Sequence, residues 1–215
     1  MRVFVEVDHL VEHSCLEVAI ALRVAFKHCC VIQICAFAQD PIFSGQFHDQ
    51  NFKLFQAACQ RPEVDVIGTT PYVEDSEHDA TRNYKYAIDT AEQLHKPCDL
   101  HIDYNLDPAT SAVTMSVLDY LKNRQSRTET PAKNTCLGHC TRLTLLGQQD
   151  WKHIASTIKD NDLSVSLLGK HLPYLKVLQY QHHQVFQHLI SIFKAGPQKL
   201  LEVAKGREAP YRYRR

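Results

Sequence analysis

The sequence predicts an α/β chain: a partial TIM-like (β/α)8 barrel of about six βα units, with a divergent helical tail. Three observations carry this. Short β-rich apolar runs recur along the chain, stretches of good helix formers separate them, and polar residues gather where the apolar runs end. Apolar strands alternating with helices argue for a parallel sheet of right-handed βαβ units. Each unit takes about 30 residues, the pace of a barrel of roughly 250. An open doubly wound sheet competes, and periodicity does not choose between the two.

The elements follow in order. Residues 3–7 form the first strand run, with Asp8 just past it, and residues 15–26 form a helix. Residues 31–36 and 64–68 are the next strands, ending before Gln39 and before Thr69 and Thr70; the helix at 52–58 lies between them. A helix over 82–94 leads to the strand at 98–101, which ends on His101 with Asp103 beyond it. A helix over 109–123, a strand at 135–139 ending on His139, a helix over 151–159 and a strand at 163–168 complete the pattern. Polar side chains past the C-terminal ends of strands stand where barrel active sites are built. The expected domains are therefore residues 1–168, the incomplete barrel, and 169–215, a divergent tail. The tail carries a His- and Gln-rich tract at 179–188, helical spacing over 189–204 and a basic, frayed end at 207–215.

Composition excludes several classes. With 24 basic and 24 acidic residues, general affinity for nucleic acid or anionic membranes is not expected. No apolar run approaches the roughly 18 residues of a spanning helix. The first eight residues place acids where a signal peptide needs its apolar stretch. A soluble, cytoplasmic protein is the expectation. The eight cysteines show no secreted disulfide framework and are read as reduced thiols. Seven glycines and the lack of G-x-G-x-x-G or G-x-x-x-x-G-K-[ST] argue against a phosphate-cradling loop.

Candidate chemistry centres on histidines. His9-Leu-Val-Glu12-His13 matches the H-x-x-E-H zinc-peptidase pattern, which needs both histidines on one face of a long helix. Cys136-Leu-Gly-His139-Cys140 offers soft ligands, but no second knuckle completes a tetrahedral set. His101 and His139 end successive predicted strands and point into one mouth. Neutral imidazoles placed there suit a divalent cation that acidifies a bound water.

Several ordered blocks add a resemblance. Val3-Phe-Val-Glu-Val-Asp8, Gln33-Ile-Cys-Ala-Phe-Ala-Gln39, Asp65-Val-Ile-Gly-Thr-Thr-Pro-Tyr-Val-Glu74, Lys96-Pro-Cys-Asp-Leu-His-Ile-Asp103 and Gly138-His-Cys140 resemble the cytosine deaminase branch of the amidohydrolase superfamily, over about residues 2–168. The resemblance implies a metal-dependent (β/α)8 hydrolase whose iron or zinc activates water against a C–N bond of a cyclic amidine, cyclic amide or nucleobase-like ring. It matches His101 and His139 to metal ligands on the fifth and sixth strands of that barrel, and Gln39 to a glutamine that hydrogen-bonds the substrate. Where the family has a general acid/base glutamate, this chain has Tyr104, and Asp103 stands as the substitute carboxylate. A phenol of pKa about 10 is a poor proton shuttle near neutrality.

The resemblance starts at the family's second strand and ends at its seventh. The H-x-H metal pair of the first strand and the metal-binding aspartate of the eighth have no counterparts here. Three readings stay open: a hydrolase by descent that is inactive as this chain alone, a noncatalytic barrel remnant that binds a small ligand or a partner chain, and a zinc peptidase using His9, Glu12 and His13. The expected partners are a small heterocyclic substrate, and another copy or a partner chain over the open barrel edge. No nucleic acid and no membrane are expected.

Overall fold

The computed structural model describes residues 1–107, 110, 112–125, 135–160 and 165–168. The chain runs β1 (Arg2–Glu6), α1 (Ser14–Ala25), β2 (Gln33–Ala38), α2 (His48–Cys59), β3 (Val66–Thr69), α3 (Glu77–Gln93), β4 (Cys98–Ile102), α4 (Val113–Gln125), β5 (Thr135–His139), α5 (Gln148–Asp160) and β6 (Val165–Leu168). Short 3-10 turns follow β3 at Pro71–Val73 and β5 at Thr141–Leu145. The tail expected over 169–215 lies outside the described residues.

The six strands form one sheet in sequential order, each paired in parallel with the next. A doubly wound sheet reverses its strand order near the middle. Sequential order excludes that alternative and leaves barrel-type winding. Curvature confirms it. Arg2 on β1 pairs with Asp99 on β4, and the Phe4 ring lies 4.8 Å from that of His101. Three strand spacings on a flat sheet would separate those strands by about 14 Å, so the sheet is curled into part of a barrel.

The core lies between the outer face of the sheet and the helices. Val5, Val7, Ile34, Ala36, Ala38, Ile67, Leu100, Ile102 and Leu137 alternate onto one face and are buried, as are Leu16, Phe55, Ile88, Leu118 and Ile154 from the five helices. β2 is buried along nearly its whole length because both of its faces are covered, which is why it reads as an unbroken apolar run. The helices α2 and α3 begin four and five residues before their expected starts, in polar first turns without apolar period. At α3, Ser76 caps the helix, its hydroxyl accepting from the Asp79 amide at 3.0 Å and donating to the Asp79 carboxylate at 2.7 Å. Among the described residues no helix is long and apolar enough to cross a membrane. All eight cysteines are free thiols.

The inner face is packed by setting large side chains against glycine. Register pairs Phe37 with Gly68 and Gly68 with Asp99. A Cβ at Gly68 would stand 2.6 Å from the Phe37 ring, 2.8 Å from Cys35 Sγ and 2.9 Å from the Asp99 carbonyl oxygen. The last is backbone and cannot swing aside. Gly68→Ala is therefore expected to lower stability by about 1–3 kcal/mol, read as a lower urea midpoint with the transition slope unchanged. An unshifted midpoint would show that the inner face is looser than these distances.

Candidate functional site

Strand alternation puts Asp99 and His101, two residues apart on β4, on the inner face. Register sets His101 beside Gly138 of β5, and the imidazole lies across that glycine: a Cβ there would be 2.6 Å from Cδ2 and 3.0 Å from Nε2. The rings of Phe4, Phe37 and His139 surround it at 4.8, 4.7 and 4.7 Å. This enclosure disfavours the charged form. Burial first, and then His139, bring the His101 pKa down to about 4. Asp99 Oδ1 lies 3.7 Å from Nε2, yet burial and His139 lower the imidazole pKa and the ring is neutral near pH 7.

His139 reaches the same mouth by a different route. Continued alternation would send its side chain to the helix side of β5. Instead His139 and Cys140 both take left-handed backbone, with φ of 63° and 49°, at a cost of roughly 1–2 kcal/mol per residue. The turn is anchored from below. The fully buried Cys140 thiol donates to the Leu137 and Gly138 carbonyls at 3.5 and 3.7 Å, and its amide bonds the Ile102 carbonyl at 3.1 Å. The exposed His139 ring then stands edge-to-face with His101, at an interplanar angle of 72°.

Gln39, just past β2, contacts the Tyr72 hydroxyl. The Tyr72 ring is 4.3 Å from that of Tyr104 and 6.5 Å from that of His139. Gln39, Tyr104 and the two histidines are thus joined through Tyr72, whose phenol is held above its usual pKa chiefly by burial. Tyr104 is half exposed. Beside this rim a cleft of about 410 Å³ is lined by Tyr72, Glu74, Tyr84, Asp103, Tyr104 and Arg142 among others.

Asp103 is held by local structure. Its backbone is left-handed (φ 53°), and its buried carboxylate accepts from the Val113 amide at 2.8 Å, the Thr114 amide at 3.0 Å and the Thr114 hydroxyl at 2.5 Å. These bonds cap the start of α4. Asp8 does the same for the turn after β1, accepting from the Leu10 and Val11 amides at 2.7 and 2.9 Å.

The peptidase pattern does not survive the structure. His9, Glu12 and His13 lie in a turn before α1, not on a helix, and Glu12 has φ 49°. His9 stacks on Phe47 at 4.0 Å with Nδ1 3.1 Å from the Asn51 side-chain oxygen, while His13 Nε2 lies 3.0 Å from the Leu54 carbonyl. The rings have separate partners and no common focus. Sequence reading did not single out Asp99, Tyr72, Gly138 or Glu6. Asp99 was detectable as the residue two before His101 on a strand. Glu6 ends the inner face of β1, with a pKa raised by burial and then by Asp8 and Asp40.

A divalent ion bound by two imidazoles at about 2.0–2.1 Å can hold their rings at the spacing seen here. A catalytic zinc takes three protein ligands, and among the described residues no group of three His, Cys, Asp or Glu side chains gathers. The described residues therefore bring two imidazoles together and do not gather a complete ligand set.

No family model matches the chain, and no curated protein does. Solved structures do. Against 5-methylcytosine deaminase from Klebsiella pneumoniae liganded with phosphonocytosine, the TM-score is 0.62 at 18% identity, over 75% of this chain and 37% of that one. The same enzyme with 5-fluorocytosine gives 0.61 at 18%, over 77% and 38%. N-isopropylammelide isopropylaminohydrolase from Burkholderia multivorans ATCC 17616 gives 0.61 at 19%, over 83% and 44%. The chain spans less than half the length of these enzymes. The likeness, at under 20% identity, shows the fold alone: this chain forms part of the barrel that these enzymes have.

The His101 shift has a thermodynamic signature. Unfolded, the imidazole takes a proton near pH 6.5; folded, near 4. Between those values the unfolded chain binds more protons, so stability falls as pH is lowered through that window and is unaffected by this group above it. The full difference is about 3 kcal/mol by linkage. Urea unfolding at stepped pH should show that fall in the wild-type chain and a flatter profile in His101→Gln.

Proposed function

We propose that this chain carries the histidine pair of a metal-dependent hydrolase acting on a C–N bond of a cyclic amidine, cyclic amide or nucleobase-like ring, of the cytosine deaminase kind. The observation that carries the reading is the meeting of His101 and His139 at the C-terminal mouth of a partial amidohydrolase-type barrel, the second brought there by unfavourable left-handed backbone. Backbone strain of this sort persists where the surroundings enforce it, and it clusters at functional sites. The fold likeness to a deaminase and an aminohydrolase supports the same class.

In this reading His101 and His139 hold a divalent ion, iron or zinc, which supplies an acidified water when bound. Gln39 meets the planar ring through its amide, which offers both a donor and an acceptor edge. Tyr104 stands in the acid/base position and Asp103 caps α4, so proton transfer from this stretch of chain is weak and the chain alone is expected to be a poor catalyst. Those same two residues favour a second reading: a noncatalytic barrel that binds a small ligand, or a partner chain along its free strand edge, in the cytoplasm.

Metal analysis tests the first reading. Protein purified from metal-replete expression should carry iron or zinc in proportion to chain, and His101→Ala/His139→Ala should lose it while staying folded. Metal-free wild-type protein would overturn the metal site. Turnover of cytosine or another cyclic amidine by the loaded chain would overturn the noncatalytic reading.

A further inference from the structure

We infer that Asp99 is a positioning residue that fixes the tautomer of His101, keeping the proton on Nε2 and leaving Nδ1 as the lone pair the ring can offer to a bound ion. The inference deepens the reading above, which supplies its functional meaning, but the geometry behind it stands independently of any metal.

Asp99 is 1% exposed, beneath His101 on the same face of β4. Its Oδ2 is taken by the Arg2 guanidinium, whereas Oδ1 is buried with no hydrogen-bond partner. A carboxylate oxygen left unpaired in the interior is costly, and buried polar atoms in folded proteins nearly always find a donor. The Cys136 thiol hydrogen-bonds the carboxylate, but S–H is a weak donor. The ring nitrogen His101 Nε2 is 3.7 Å from Oδ1. That is longer than a hydrogen bond, and a small tilt of the ring, on the order of 0.8 Å at the nitrogen, makes one.

The chemistry then leaves one choice. A neutral imidazole has one N–H and one lone pair, and an ionised carboxylate is an acceptor only. With the proton on Nδ1, the Nε2 lone pair would face a buried anionic oxygen, and both would be unpaired and repelled. With the proton on Nε2, the orphan oxygen gains its donor. Gly138 is part of the device, because a Cβ there would stand 2.6 Å from Cδ2 and 3.0 Å from Nε2 and displace the ring from its seat. Outer partners of this kind commonly set which nitrogen of a histidine carries the proton.

The test is long-range 1H–15N correlation on the metal-free wild-type chain at about pH 8, above the ordinary imidazole pKa, with His101→Ala assigning the signals. The expected pattern is a single tautomer with Nε2 protonated and its proton shifted downfield by the carboxylate. Arg2→Met/Asp99→Leu removes the acceptor together with the cation that would otherwise be stranded. In that variant, folded by circular dichroism, the Nδ1–H form should become populated beside Nε2–H and the Nε2 proton should move upfield. A wild-type Nδ1–H tautomer overturns the inference, as does a folded double variant that keeps the wild-type pattern. Should the variant not fold, a wild-type Nε2 proton without the downfield shift still overturns it. None of these results bears on metal stoichiometry, so this inference and the metal site fail separately.

Discussion

The pairing of His101 with Gly138 across β4 and β5 is the constraint on which the mouth depends. A slip of one residue would put Leu137 or His139 beneath the imidazole and exchange the two faces of β5. In the native register the glycine leaves room for the ring, and the next residue, His139, is free to turn left-handed and come back over the top. Cys140 closes the arrangement from underneath with its thiol and amide. Phe37 against Gly68 repeats the device two strands away. Large side chains seated on glycines fill the inside of a curved sheet without forcing its strands apart.

Curvature then determines the electrostatics. Because the sheet curls, Arg2 from β1 reaches Asp99 on β4, and Phe4 reaches His101. A cation is thus brought to a buried carboxylate whose pKa burial raises, while the arginine draws it back down. Above them, the histidine sits among aromatic rings and stays neutral. Neutral imidazole and paired carboxylate are one arrangement, since burial among the rings disfavours the charged form of His101 while Arg2 favours that of Asp99.

Much of this was legible in the residues. Strands buried on both faces read as apolar runs, and the two histidines were visible because each ends such a run. What stayed hidden depended on partners distant in sequence. Asp103 looked available as a substitute acid, and its engagement by the Val113 and Thr114 amides follows only once α4 is known to begin there. The turn at His139 breaks the alternation that sequence reasoning relies on. H-x-x-E-H matched in letters, but its chemistry needs a helix, and Asp8 instead folds that stretch into a turn by accepting two amides. The early starts of α2 and α3 lie in polar turns, where capping rather than apolar period marks the boundary.

The acids of the rim separate by task, and the separation limits the chemistry. Asp8 and Asp103 spend their carboxylates on backbone amides, which fits both to architecture. Tyr72 holds its proton more tightly than an ordinary phenol. Glu6 differs, because burial and then the nearby anions Asp8 and Asp40 raise its pKa. The region around Gln39, Tyr72, Tyr104 and the two imidazoles therefore presents amide, phenol and nitrogen lone pairs more than free charge. Under the proposed function, such a surface suits a neutral, planar ligand with donor and acceptor edges better than a highly charged one.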